Sequence, residues 1–379
     1  MYDDSSEPSA YEKFKEKAKK VTAIGLIAGF SLGIYSGITS DEKIPKYQWM
    51  QNRIRESSEI MEEYFEEREK TEEEIVEEVI EEPEIKYVET VEKMVPDYSE
   101  KDKEKLAEKI GAVYDSVKNN GGVQNAKKEI VRDFDYIKNN ADNNKEIRAL
   151  VGIRMIESAG RIDSVSHTGN AGPYQWGSFI AEHYGLEVNS SIDERFDPEK
   201  STEAALEYLR DMKNRYGKWD FAVLSYHQGE TNVNNLVSDH IENKYGEEIS
   251  NGRINGDILE KYGVNVVDVL EDKKAVNNTM NPEYSLSGIS YVQKVFAATK
   301  LFDQYLEKND TVNVTNIEKI VISEGDTLYG ISEKFNTNLE NIQYHNSRIL
   351  DSELIMPGMK VNVPSGTYNK STDDIKKIY

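Results

Sequence analysis

The chain has no cysteine among its 379 residues. This absence excludes disulfide bonds, thiolate metal sites, cysteine nucleophiles and lipid anchors attached through a thiol. Histidine is scarce as well, because there are only five and none lies in an HExxH or His-x-His pair. We therefore expect neither a metal ion nor another cofactor.

Positive charge is also in short supply, with 47 Lys and Arg against 70 Asp and Glu and a net charge of −23. Nucleic acid phosphates are bound by clustered Lys and Arg, so this balance argues against nucleic acid as a partner. Hydrophobic residues make up only 37% of the chain, which indicates that part of it does not pack into a core.

One long uncharged run lies near the N-terminus, at residues 21–40. A helix of that length reaches ~30 Å, the thickness of the hydrocarbon core of a bilayer. The lysines before it are Lys13, Lys15, Lys17, Lys19 and Lys20. The positive-inside rule predicts a cytoplasmic tail at 1–20, a single membrane anchor at 21–40 and an extracytoplasmic remainder. A cleaved secretory signal is the alternative, although the run is long for one and lacks a convincing small-x-small site before Asp41.

Four glycines inside this run are spaced four residues apart, namely Gly25, Gly29, Gly33 and Gly37. On a membrane helix they share one face, which would allow two such helices to pack as a homodimer. Glycine is also common in membrane helices in general, so this pattern leaves the oligomeric state open.

The segment that follows the run is strongly acidic. Residues 56–84 hold 15 glutamates against Arg68 and Lys70, with only a partial helical stripe of apolar residues. This composition predicts a solvated, acidic helical stalk or linker over residues 41–100. Pro83 should end the helix and leave residues 84–100 as an extended linker.

Two globular parts follow the stalk. Residues 101–308 have a helical pattern that is interrupted by asparagine clusters at 119–122 (NNGG) and 139–144 (NNADNN). Residues 318–365 contain two short β-type runs that flank two short helical patterns. The polar residues 366–379 are expected to form a loose tail.

One glutamate stands out in the helical part. In EIRALVGIRMIESAG (146–160), Leu150, Ile153 and Glu157 lie at i, i+3 and i+7 and so share one helix face. Gly160 suits the left-handed position that ends a helix. Burial and the negative end of the helix would both raise the pKa of Glu157, and a carboxyl that stays protonated near neutral pH can act as a general acid. The alternative is a structural salt bridge with Arg154, three residues earlier.

The sequence around Glu157 resembles the signature of lytic transglycosylases of the soluble-lytic-transglycosylase type. Residues 157–175 read ESAGRIDSVSHTGNAGPYQ, in which the Glu-Ser pair, a later serine, two glycines and a glutamine match that signature. Three further blocks follow in the family's order: Asp197-Pro198 with an amphipathic run, GKWDFAVLSYHQG (217–229) and SYVQKVFA (290–297). Together the four blocks cover roughly residues 145–305.

The resemblance implies a lysozyme-like, mainly helical catalytic domain in which Glu157 is the single catalytic glutamate. Tyr226 and Tyr291 match the two tyrosines that the family places beside that glutamate. The substrate-binding positions carried over by the resemblance are Ser158, Ser166, Gln175, Trp176 and His227. His227-Gln228 replaces the family's Asn-Ala, and Pro173-Tyr174 replaces Leu-Met, which puts the preference of the cleft in doubt.

The segment 320–364 resembles a LysM domain, whose signature contains a Gly-Asp-Thr-Leu turn, an Asn and a late Pro-Gly. The matching glycan-binding positions are Gly325, Asp326, Thr327, Leu328, Asn346, Pro357 and Gly358. The resemblance implies a βααβ fold and a ligand of the peptidoglycan or chitin type. A weak glycan-binding module on the same chain raises the local concentration of substrate at the cleft.

The resemblance therefore implies a membrane-anchored enzyme that cuts the MurNAc–GlcNAc bond of peptidoglycan and leaves 1,6-anhydroMurNAc ends. Two alternatives remain open: a hydrolase of the goose-lysozyme kind on the same fold, and a wall-binding scaffold without catalysis. Ordinary glycosidases use two carboxylates, and the nearest second candidate here is Asp163.

Overall fold

The computed structural model describes residues 85–189, 192–279, 290–346, 349 and 355–379. The predicted cytoplasmic tail, membrane span and acidic stalk up to residue 84 lie outside the described residues. Among the helices that are described, none is both long enough and apolar enough to cross a membrane. The described residues all belong to one folded unit, Glu82–Tyr379.

The first part of this unit is helical, as the sequence predicts. Its α-helices are α1 (Ile85–Met94), α2 (Glu100–Lys118), α3 (Gly121–Asn140), α4 (Asn144–Ser158), α5 (Ser178–His183), α6 (Pro198–Tyr216), α7 (Trp219–Gln228), α8 (Glu230–Tyr245), α9 (Gly256–Lys261), α10 (Val266–Glu271), α11 (Lys273–Thr279) and α12 (Tyr291–Lys308). Short 3-10 turns lie at Glu194–Phe196 and Asn251–Arg253.

The asparagine clusters mark helix boundaries. The side chain of Asn120 accepts the Val123 N–H at the start of α3. The side chain of Asn143 accepts the N–H groups of Lys145 and Glu146 at the start of α4. These side chains satisfy amide donors that have no partner within the helix, which explains why each cluster separates two helices.

Helix α4 lies at the centre of the helical part and packs against α3, α6 and α12. Its residues from Ala149 to Ile153 are inaccessible to solvent. A side chain at Gly152 would place its Cβ 2.8 Å from the Val295 carbonyl oxygen, so the glycine permits the close crossing of α4 and α12. This central position buries the helix that carries Glu157.

An extended linker is expected at residues 84–100, but the described part of this segment, residues 85–100, belongs to the folded core instead. Residues 85–94 form α1, and Val91 and Met94 are fully buried. The buried hydroxyl of Tyr98 donates a hydrogen bond to Asp220 at the start of α7. The apolar residues of this stretch are spaced for one helix face, and that face is covered by distant parts of the chain, which a local composition argument does not detect.

The second part has the predicted order of strand, two helices and strand. These elements are β1 (Thr311–Val321), α13 (Leu328–Lys334), α14 (Leu339–Tyr344) and β2 (Lys360–Ser371). The strands pair antiparallel, with an irregularity between Thr315 and Ile317. Residues such as Leu328, Ile342 and Val361 form a small hydrophobic core of its own.

The loose tail expected at residues 366–379 is also different in the structure. Strand β2 continues to Ser371, and α15 (Asp373–Ile378) follows it. The Tyr379 ring is buried against Phe302, with ring centroids 5.0 Å apart. The segment is polar overall, but Ile375 and Tyr379 supply two buried anchors, and their partners come from α12 and α4.

Candidate active site

Glu157 occupies the last turn of α4, where the helix ends at Ala159 in a left-handed conformation with φ 54°. The predicted glycine, Gly160, follows with φ 79°. The Glu157 side chain is only 20% exposed. Burial raises its pKa to about 7, against the opposing effect of a hydrogen bond from Tyr291. At neutral pH this carboxyl therefore exists in both protonated and ionised forms, as a group that acts first as an acid and then as a base requires.

Tyr291 and His227 surround the carboxyl group. The Tyr291 hydroxyl donates a hydrogen bond of 2.6 Å to Glu157 Oε1. The His227 ring stacks on the Tyr291 ring, with centroids 4.3 Å apart and planes inclined by 11°. His227 Nδ1 lies 4.0 Å from Glu157 Oε1. Burial and the nearby Lys294 lower the pKa of His227, which favours the neutral ring beside the glutamate.

Tyr226 is close to the carboxyl group but bonds elsewhere. Its hydroxyl donates to the Tyr174 carbonyl oxygen at 2.8 Å. Burial, with a contribution from the negative charge of Glu157, raises the pKa of Tyr226. Its ring packs edge-on against Trp176, with centroids 5.6 Å apart. Tyr226 thus shapes the wall beside Glu157, whereas Tyr291 holds the carboxyl group directly.

The loop between α4 and α5 is compact and is held together by hydrogen bonds within the loop. Gly172 has φ 82°, and a Cβ there would lie 1.8 Å from the Arg195 carbonyl oxygen, so only glycine fits. The Gln175 amide donates to the carbonyl oxygens of Ser164 and Gly172 at 3.1 and 2.9 Å. The Ser166 hydroxyl accepts the Asn170 N–H at 3.0 Å. Gln175 and Ser166 therefore stabilise the loop itself, a role that differs from direct sugar contact.

A cavity of about 510 Å³ opens along this loop. Its lining includes Gln175, Trp176, Tyr208, Tyr226 and Glu230. A larger cavity of about 790 Å³ is lined by Lys145 and Arg148 at the beginning of α4, about 14–18 Å along the helix from Glu157. Because the smaller cavity shares Tyr226 and Trp176 with the predicted site, it is the candidate glycan cleft.

Two predicted roles near Glu157 do not match the structure. Ser158 is only 4% exposed and its hydroxyl donates to the Arg154 carbonyl oxygen at 3.1 Å, so it faces the helix rather than the cleft. Arg154 donates to Asp133 and to the Gly160 carbonyl oxygen, so its guanidinium is not the partner of Glu157. The i, i+3 spacing allowed that pair, but the buried Asp133 of α3 competes for the arginine.

The candidate second carboxylate, Asp163, forms an ion pair with Arg161. It is 4% exposed and lies 3.4 Å from the Arg161 guanidinium. This pairing gives Asp163 a structural role. Among the described residues, no group of three or more His, Asp or Glu side chains is arranged to hold a metal ion.

The LysM signature residues mostly build the module. Thr327 caps α13 by accepting the Gly330 N–H at 3.0 Å, and Asp326 accepts the Ser323 N–H at 2.7 Å. Asn346 is buried and bonds the backbone of Asn362 through both atoms of its amide. Gly325 and Gly358 lie in turns and have positive φ values of 87° and 89°. Leu328 is buried in the LysM core, and Pro357 directly precedes Gly358.

Sequence reasoning missed several side chains that matter. Arg195 donates to the carbonyl oxygens of Gly169 and Trp176 at 2.9 and 3.0 Å and so holds the loop closed. Phe179 precedes Ile180, a residue that lines the cavity, and is itself 85% exposed. Tyr329, next to the LysM signature, is 63% exposed. The spacing of a motif does not reveal whether an aromatic residue is exposed or buried, so these two residues could not be identified from the sequence. Exposed aromatic rings are suited to stack on sugars.

The comparisons with known proteins support both parts. Residues 135–249 match the family described as Transglycosylase SLT domain, and residues 320–364 match the LysM domain family. The first match covers much of the helical part, including Glu157, and the second covers the part with the order strand, two helices and strand. Glu157, Tyr226 and His227 fall within the first match, whereas Tyr291 lies beyond it and reaches the site only through the fold.

Similarity to individual curated proteins is confined to a short segment. The chain is 40% identical over 45 residues to SpoIVD-associated factor A of Bacillus subtilis (strain 168), covering 12% of each protein. It is 38% identical over 45 residues to Spore coat assembly protein ExsA of Bacillus cereus, covering 12% of this chain and 7% of that protein. The chain thus spans about a tenth of the length of these relatives. Their similarity therefore does not indicate the activity of the whole protein.

Proposed function

We propose that this protein cleaves the bond between N-acetylmuramic acid and N-acetylglucosamine in peptidoglycan, with Glu157 as its only catalytic carboxyl group. The observation that carries the proposal is the state of Glu157: it is buried near Tyr226, which lines the cleft, it has a pKa of about 7, and Tyr291 donates a hydrogen bond of 2.6 Å to its Oε1. A pKa this far above the ordinary value of a glutamate is typical of functional sites and unusual for a glutamate with a purely structural role.

In the proposed reaction, protonated Glu157 donates its proton to the bridging oxygen as the bond from C1 to that oxygen breaks. The N-acetylglucosamine leaves with the donated proton, and the acetamide of the muramic acid residue stabilises the positive charge at C1. Ionised Glu157 then removes the proton of the C6 hydroxyl, whose oxygen bonds to C1 and closes a 1,6-anhydro ring. The carboxyl group ends protonated and ready for another cycle.

The surroundings of Glu157 support this two-stage use of one group. Tyr291 keeps the carboxyl group oriented in both states and, as a hydrogen-bond donor, stabilises the ionised form. Burial stabilises the protonated form. These opposing effects leave the pKa near the working pH, and the ion pair of Asp163 with Arg161 supports a mechanism with a single carboxylate.

One observation favours a second outcome, hydrolysis, on the same site. His227 replaces an asparagine of the family signature, and its Nδ1 lies 4.0 Å from Glu157 Oε1. A neutral imidazole at this position can accept a hydrogen bond from water and hold it near C1, in competition with the C6 hydroxyl. The two outcomes differ by one water molecule in the product.

The test is digestion of purified sacculi by the full-length chain, with released sugars identified by mass spectrometry. We expect products with 1,6-anhydro ends from the native protein and none from E157Q. The control is E203Q, which also removes a negative charge but at an exposed position of α6. Native-rate release of sugars by E157Q would refute the proposal, and reducing ends one water heavier would show hydrolysis instead.

For location, we propose that residues 21–40 anchor the chain once in a membrane and place both domains outside the cytoplasm. The support is the uncharged run with five lysines before it and Asp41 and Glu42 after it. Protease added to intact cells should remove both domains while leaving the N-terminal tail protected. Complete protection of the domains would contradict this orientation.

A further inference from the structure

The LysM module is joined to the catalytic domain by a continuous β-strand rather than by a loop. Val312 and Val314, in the first half of β1, are buried in the core of the catalytic domain. Ile320, at the other end of β1, packs against the LysM core, and Ile322 directly after it belongs to that core. A single strand therefore takes part in both hydrophobic cores, which lie ~20 Å apart along it.

The second strand returns along the same path. Val361 and Val363 of β2 lie in the LysM core, and the strand then pairs with β1 as far as Ser371 opposite Thr311. Thr372, fully buried, donates to the Asn309 carbonyl oxygen at 2.6 Å. Helix α15 then packs on the catalytic domain through Ile375. The connection is thus a two-stranded antiparallel ribbon whose two ends are anchored in different hydrophobic cores.

Side-chain contacts reinforce the ribbon. The Arg161 guanidinium lies 4.4 Å from the centre of the Tyr344 ring at the end of α14 and donates to the Tyr344 carbonyl oxygen. Arg161 is four residues after Glu157, so the LysM module contacts the segment that leaves the catalytic helix. On the ribbon, Lys370 Nζ lies 3.0 Å from both the Asp135 carboxylate and the Arg132 carbonyl oxygen.

We propose that the LysM module is rigidly mounted on the catalytic domain, so that the protein prefers polymeric glycan strands that reach its LysM site and its cleft at one set separation. This inference rests on the proposed function and extends it to the class of substrate. A flexible tether would raise the local concentration of any nearby strand. A rigid mount instead removes the entropy cost of orienting the second site, and short fragments that fill only the cleft gain nothing from it.

The first test concerns the mount alone and is independent of activity. Because the native chain has no cysteine, only introduced thiols are labelled. The pair E203C and E333C places one spin label at an exposed position of α6 and one at an exposed position of α13. We expect a single narrow distance distribution by pulsed electron paramagnetic resonance. A broad distribution would refute the rigid mount whether or not the protein cleaves peptidoglycan.

The second test compares long and short substrates in a variant with a loosened ribbon. Equal Gly-Ser segments are inserted after Asn316 in β1 and after Ser365 in β2, next to the irregularity in the pairing. The matched control carries the same insertion after Glu248, in an exposed part of the catalytic domain. We expect kcat/KM on long glycan strands to fall about tenfold in the ribbon variant only, with no change on short fragments.

The outcomes separate the two proposals. If the native chain cleaves neither substrate but gives a narrow distance distribution, the proposed function fails and the mount stands. If the native chain is active and the ribbon variant processes long strands at the native rate, the inferred substrate preference is wrong. Sedimentation with insoluble peptidoglycan shows whether the ribbon variant still binds glycan, as an intact LysM core requires.

Discussion

Replacing Glu157 with glutamine should make the folded protein more stable by an amount that grows as the pH rises from about 4.5 to about 7 and then stays constant. The folded-state pKa of Glu157 is raised to about 7 from an ordinary value of 4.5 because the side chain is buried. Folding is therefore favoured while the carboxyl group is protonated, fully so below about pH 4.5. That contribution is lost as the pH rises through the folded-state pKa.

The size of the effect follows from the shift. Each pKa unit corresponds to ~1.4 kcal/mol, so ionised Glu157 costs the folded state about 3 kcal/mol above pH 7. A glutamine has nearly the same shape, does not ionise and can still accept the hydrogen bond of Tyr291. The free energy of unfolding of E157Q should therefore equal that of the native protein at about pH 4 and exceed it by about 3 kcal/mol at pH 8.

Thermal and urea denaturation of the full-length chain at several pH values between about 4 and 8 measure this difference. At pH 8 we expect the Tm of E157Q to lie roughly 5 °C above that of the native protein. E203Q, exposed on α6, should show no such pH-dependent gain. If the advantage of E157Q did not grow with pH, burial would not be raising the pKa of Glu157, and the acid–base reasoning would lose its basis.

Three further substitutions test the neighbours of Glu157. Y291F removes the hydrogen bond that lowers the pKa of Glu157, so kcat should fall at least ~10-fold and the alkaline limit of the pH–rate profile should move upward; an unmoved limit would contradict this role. H227N should change the ratio of hydrolysed to anhydro products in mass spectra, and an unchanged ratio would exclude His227 from the competition. G172A forces a Cβ against the Arg195 carbonyl oxygen and should lower the free energy of unfolding by about 2 kcal/mol or more in urea titrations; native stability would show that the loop relaxes freely.

Much of α4, the helix that carries Glu157, could be predicted because its signals are local. The apolar spacing of Leu150 and Ile153 relative to Glu157 predicts a shared face, and the structure buries that face. Helix ends are local too, since Asn143 caps α4 with a side chain only two and three residues from its partners. The order of strand, two helices and strand in the LysM module follows from a signature that fits within 45 residues.

The partners of the polar side chains could not be predicted in the same way. The spacing of Arg154 and Glu157 allows a salt bridge, yet Asp133, on another helix, takes the arginine. Ser158 follows Glu157 in sequence, but its hydroxyl bonds back to the Arg154 carbonyl oxygen of the same helix. The side chain of a helical residue projects from one side of the helix. The groups that it meets there belong to elements that are distant in sequence.

By itself the sequence determined the position of Glu157 on a helix, the two kinds of domain and the absence of thiol chemistry. The tertiary structure alone decided that Tyr291, 134 residues away, holds the carboxyl group. It also decided that residues 85–100 and 366–379 belong to the core and that the LysM module is mounted on a ribbon. These features depend on burial against distant segments, and burial is a property of the whole folded chain rather than of any local pattern.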